Sequence, residues 1–161
     1  MRDFFFVKMK IFIHGLESSG SGFKGRFFKE IFFDIITPDF KGDFNLRMQQ
    51  LENILKFEKH VSIIGSSFGG LMATKYAYDN PQKVNKMVLL APAIIFENVI
   101  NESMKISVPT IIYHGKKDNV VPLKETKELA EKIFTNLKFF EVDDDHFLHK
   151  VIYKIPWKKI L

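Results

Sequence analysis

In Val7-Lys8-Met9-Lys10-Ile11-Phe12-Ile13 apolar residues first alternate with lysines and then run on unbroken, the pattern of a strand that enters a core as it proceeds. It stops at His14-Gly15. Five later runs rich in Ile, Val, Leu and Phe read as strands on the same grounds: 34–37, 61–64, 86–90, 110–113 and 137–142. Between and after them the apolar spacing turns helical, over 23–33, 44–57, 68–78, 123–134 and 146–153. Six strands alternating with helices predict an α/β fold, a mostly parallel sheet covered on both faces. Ligands of such sheets gather at the carboxyl ends of the strands.

Composition narrows the picture. A chain of 161 residues is expected to form one domain, 1–161, that hides roughly 70% of its unfolded surface, and no repeat or linker interrupts it. The net charge of +5 comes from scattered lysines, which predicts a solvated basic surface and no nucleic-acid partner. The absence of cysteine excludes disulfides, thiolate metal sites and a cysteine nucleophile, and it fits a reducing cytoplasm. Phe4-Phe5-Phe6-Val7 is cut short by Lys8 and Lys10, too little for the ~7–15-residue core of an export signal. The longest apolar run, 87–96, contains Pro92 and falls short of the ~20 residues that span a bilayer. A soluble, cytoplasmic protein without stable membrane insertion is the expectation, as monomer or dimer.

The candidate chemistry begins at the third strand. His60-Val61-Ser62-Ile63-Ile64 feeds into Gly65-Ser66-Ser67-Phe68-Gly69 and then into a helical segment, which is Gly-x-Ser-x-Gly in a strand–turn–helix context. Such a turn exposes the central hydroxyl, and glycines two residues to either side avoid collision with neighbouring backbone. Ser67 is therefore the candidate nucleophile, and Ser66 a small residue tolerated by packing. A serine hydroxyl needs a base and a carboxylate that orients the base. Asp118 lies just past the fifth strand and His146 just past the sixth, where both are needed. Asp143, Asp144 and Asp145 form an acidic run from which a substitute for Asp118 could come. His14 is expected to order its own loop, and His60 and His114 to be structural.

In their order, these motifs resemble the α/β-hydrolases over nearly the whole chain. His14-Gly15-Leu16 resembles that family's oxyanion loop, Gly115-Lys116-Lys117-Asp118-Asn119-Val120-Val121-Pro122 its acid loop, and His146-Phe147 its catalytic-histidine loop. Gly65-Ser66-Ser67-Phe68-Gly69-Gly70 is similar to the elbow of very short bacterial serine esterases. The resemblance implies a Ser67–His146–Asp118 triad and an oxyanion hole made by the backbone amides of Leu16 and Phe68. It further implies a sandwich of about six mostly parallel strands that lacks the family's first two strands and a large lid. With only 93–108 available for a lid, a shallow, open site is expected, that of a carboxylesterase for small acyl esters with no cofactor and no metal. The same triad also serves thioesters, peptides and acyl transfer, and the competing reading is a noncatalytic or weakly catalytic interaction module on the hydrolase fold.

Two other motifs compete for attention. Gly20-Ser21-Gly22-Phe23-Lys24-Gly25 matches Gly-x-Gly-x-x-Gly, with Asp39 at the ribose-binding distance, but Gly20 lies six residues beyond His14 instead of at the strand end. It reads as a flexible rim. Trp157-Lys158-Lys159-Ile160-Leu161 reads as helix packing with solvated lysines.

Overall fold

The computed structural model describes residues 8–161; Val7 of the first predicted strand and the Phe4-Phe5-Phe6 segment lie outside the described residues. The six predicted strands form as β1 (Met9–Ile13), β2 (Ile35–Ile36), β3 (Val61–Ser66), β4 (Val84–Leu90), β5 (Thr110–Gly115) and β6 (Leu137–Val142). They make one sheet in the order β2-β1-β3-β4-β5-β6, and every pairing is parallel.

Alternation along the central strands divides the core. Ile11, Ile13, Ile63, Met87, Leu89 and Ile112 point to one face. There they meet α2 (Phe44–Ile54), α3 (Phe68–Asp79) and α4 (Leu123–Ile133). Phe12, Ile64, Val88, Leu90 and Ile111 point to the other, against Phe28 of α1 (Phe23–Ile31), Ile152 of a short 3-10 helix (Val151–Tyr153) and Trp157 of α5 (Trp157–Ile160). The strands are apolar on both faces because both are covered, as a parallel sheet requires.

The last helical segment differs from expectation. Over 146–153 the chain forms turns and only the three-residue 3-10 helix. Asp144 is the cause, because its buried carboxylate accepts from the amides of Lys150 and Val151, each at 3.0 Å, and so curls the chain around itself. Leu148 then takes a positive φ of 56°, which an α-helix does not allow. Helix returns after Pro156, and Trp157 is buried with its indole N–H donated to the Ile152 carbonyl at 2.8 Å. Within the stretch around Gly20, Gly20 itself is buried and its amide donates to Asp39 at 2.7 Å. That bond, inside the protein, accounts for Asp39's spacing from the glycines.

The sheet order reverses at β1, since β2 lies on one side of it and β3 on the other. A crevice opens where successive connections leave for opposite faces, above the carboxyl ends of β1 and β3. Pairing of Ile13 with Gly65 brings the loop after β1 beside the turn after β3.

Candidate active site

The turn after β3 is strained where the motif predicts it. Ser67 has φ 53° and ψ −116°, a left-handed backbone that non-glycine residues seldom adopt. Its surroundings hold it there. The Ser67 amide donates to the Leu90 carbonyl and the Ser67 carbonyl accepts from Ala93, both at 2.9 Å, which staples the turn to the end of β4. The flanking glycines allow close approach, since a Cβ on Gly65 would lie 2.6 Å from the Gly69 carbonyl oxygen and one on Gly69 would lie 2.0 Å from that of Ile13. Neither position has room for a side chain.

Beside Ser67 the structure brings together two residues from distant loops. His146 Nε2 lies 3.1 Å from Ser67 Oγ, and His146 Nδ1 lies 2.7 Å from Asp118 Oδ2. The second contact fixes the first. An ionised carboxylate only accepts, so Nδ1 carries the proton and Nε2 offers its lone pair to the serine hydroxyl. Asp118 is ionised for identifiable reasons: burial raises its pKa, but donors from His146 and from the Val121 and Val120 amides outweigh this and hold it below the ordinary carboxylate range. The acidic run supplies no rival. Asp143 pairs with Lys117 at 3.1 Å, Asp144 holds backbone amides, and Asp145 accepts from the Phe147 amide at 2.9 Å.

Two further histidines support these loops. His114, fully buried at the end of β5, lies 2.9 Å from the Val121 carbonyl and 3.3 Å from Asp118 Oδ2 through the same Nε2. Burial pushes its pKa down, so it is neutral; it carries its proton on Nε2 and braces the Asp118 loop from behind. His14 is also held neutral by burial, accepts the Phe40 amide at Nε2 (2.8 Å) and donates from Nδ1 to the Gly15 carbonyl (2.6 Å). It therefore sets the course of the backbone into Leu16. Among the described residues, the amides of Leu16 and Phe68 donate to no protein acceptor, although Phe68 is buried and both residues line the space above Ser67.

That space is a half-open cavity of about 590 Å³, within the ~300–1,000 Å³ common for small-molecule sites. Leu16, Phe23, Phe96, Val120 and Phe147 stand exposed around it and raise its walls. The lining is mainly apolar, and it contains one cation that no sequence motif marked. Lys24 sits in the first turn of α1, and burial pushes its ammonium down to about 8 against the pull of Asp145 and Asp144. The available signal was its phase: Lys24 lies one helical turn before Phe28, on the buried stripe of α1, where a lysine is out of pattern.

Among the described residues, no group of three or more His, Asp or Glu side chains is placed to hold a metal ion, and no helix is long and apolar enough to cross a membrane.

Comparison with known proteins agrees with this architecture. The chain is similar to a putative hydrolase of the alpha/beta superfamily from Xanthomonas campestris pv. campestris, at 22% identity and a TM-score of 0.77 over 91% of each chain. It is also similar to mouse alpha/beta hydrolase domain-containing protein 10, at 18% identity and a TM-score of 0.76 over 89% of this chain and 84% of that one. An alpha-beta serine hydrolase homologue from Coxiella burnetii aligns at 19% identity and a TM-score of 0.74, over 92% and 80% respectively. No curated protein matches by sequence. The sequence family described as alpha/beta hydrolase fold matches residues 18–105, more than half of the chain, and the protein belongs to the α/β-hydrolase fold family.

Proposed function

We propose that the protein is a serine hydrolase, specifically a carboxylesterase for small acyl esters, with Ser67 as nucleophile, His146 as base and Asp118 as its orienting acid. One observation carries the reading: the unbroken hydrogen-bond row from Asp118 through His146 to Ser67, with its direction fixed by an acceptor-only carboxylate. Ser67 Oγ attacks the ester carbonyl carbon as its proton passes to His146 Nε2, and Asp118 stabilises the resulting imidazolium. The carbonyl oxygen becomes negative between the unengaged amides of Phe68 and Leu16, each worth about 3 kcal/mol of barrier. Collapse of this intermediate breaks the ester C–O bond, and the proton on Nε2 leaves with the alcohol. Water, deprotonated by His146, then attacks the acyl-enzyme and releases the acid. No step calls on a cofactor.

The test is stopped-flow hydrolysis of p-nitrophenyl butyrate. An acyl-enzyme predicts a burst of nitrophenolate equal to the enzyme concentration, absent in Ser67→Ala. Hydrolysis that survives Ser67→Ala undiminished would overturn the reading.

A further inference from the structure

Among the described residues, Lys24 is the one lysine or arginine in the lining of the cavity above Ser67. A charged ammonium is costly in an apolar cavity unless it is paired. Among the described residues no hydrogen bond or ion pair uses it.

The carboxylates nearest in effect are already engaged. Asp144 accepts three backbone amides, those of Asp145, Lys150 and Val151, and Asp145 accepts that of Phe147. Glu17 and Glu97 also line the cavity, but both are exposed, and neither is among the charges acting on Lys24. The first turn of α1 contains no acidic residue to neutralise Lys24 locally. The lowered value of about 8 has the same origin: the protein half-buries this cation, and the pull of Asp145 and Asp144 does not offset the desolvation.

We propose that Lys24 is the specificity residue of this site and that it pairs with a carboxylate carried by the ester substrate. The substrate class is then an anionic ester with apolar substance between the carboxylate and the scissile bond, matching the mainly apolar wall to which Phe and Val side chains contribute. This rests on the esterase reading of Ser67. The carboxylate could belong to the acyl part, as in a half-ester of a dicarboxylic acid, or to the alcohol part, as in an acylated hydroxy acid. Either would complete the ion pair that the empty protein leaves open. Above a pH of about 8 the free enzyme loses the ammonium, and with it the preference. Among the described residues, the other titratable groups that face this space are Glu17, Glu97, His146 and His149 of the lining, and Asp144 and Asp145 act on Lys24 from the loop after β6.

The experiment measures kcat/KM for two matched pairs. On the acyl side, mono-p-nitrophenyl glutarate is compared with p-nitrophenyl valerate; on the alcohol side, 4-carboxyphenyl butyrate is compared with 4-carbamoylphenyl butyrate. The proposal expects wild type at pH 7 to favour the anionic member of one pair by about tenfold to a hundredfold. Lys24→Met should remove that preference and Lys24→Arg keep it, with folding of each variant checked by circular dichroism. The ratio should also fall as pH rises through about 8. The pair that responds identifies which part of the substrate carries the charge. Ratios near one for both pairs, or ratios that Lys24→Met leaves intact, overturn the assignment of Lys24 while neutral-ester turnover upholds the esterase. Hydrolysis of none of the four esters overturns the esterase reading, and this inference with it.

Discussion

Asp118, which reaches Ser67 through His146, and Lys24, which lines the same cavity as Ser67, are both charged, yet the fold treats them in opposite ways. Asp118 has a full set of donors: two backbone amides on Oδ1, and His146 at 2.7 Å on Oδ2 with His114 behind it. Its carboxylate is driven below the usual range. Lys24 has no hydrogen-bond partner among the described residues, and its ammonium is driven down to about 8. A charge that the protein saturates is fixed in place and serves to orient a neighbour. One left unsaturated has its interaction free energy still available to a ligand.

The sharpest way to break this contrast is Asp118→Asn. The new amide would keep the Val120 and Val121 contacts through its oxygen but turn an N–H toward His146 Nδ1, which moves the imidazole proton to Nε2 and removes the base. Turnover of neutral esters should fall by about 10⁴-fold with the fold intact. Asp145→Asn, whose side chain accepts from the Phe147 amide and makes no hydrogen bond to His146, should stay within a few-fold of wild type on neutral esters. A large effect of Asp145→Asn beside a small one of Asp118→Asn would reverse the assignment.

His114→Phe probes the bracing of the saturated side. It leaves the Val121 carbonyl without its buried donor and should cost about 1–3 kcal/mol, read from denaturant midpoints. The effect on kcat should be smaller than that of Asp118→Asn, because His114 acts only through the acid loop.

Stability against pH separates the two charges. With the folded-state value of Asp118 depressed, its contribution is complete above the ordinary carboxylate range and is lost as pH falls through that folded-state value. The Asp118→Asn curve should therefore converge on wild type only in acid. Lys24 acts at the other end. Its folded-state value of about 8 lies below the ordinary 10.5, so the unfolded chain holds more protons between them and stability rises with pH across that window. Lys24→Met should remove this rise and, near neutral pH, raise Tm by about 2–4 °C, the response of a domain this size to ~1 kcal/mol. A lower Tm for Lys24→Met would show that the ammonium is already paired.

Much of this molecule is legible in its sequence, for physical reasons. The strands stand out because both faces of each central strand are buried, which forces continuous Ile, Val, Leu and Met. The turn at Ser67 stands out because Gly65 and Gly69 have no space for a Cβ. What the sequence concealed depends on tertiary contact. Residues 146–153 have helical spacing, but Asp144 captures the amides of Lys150 and Val151 and the segment winds around that carboxylate. Likewise Lys24 resembles any surface lysine until the fold sets it in the wall of a cavity, whose rim is raised by rings such as Phe96 and Phe147 from the loops after β4 and β6.

The most direct test of the central claim, an activated Ser67, is intact-mass analysis after treatment with a fluorophosphonate. The account predicts one adduct on wild type and none on Ser67→Ala. Folded wild-type protein that takes up no adduct, or an adduct that persists in Ser67→Ala, would contradict it.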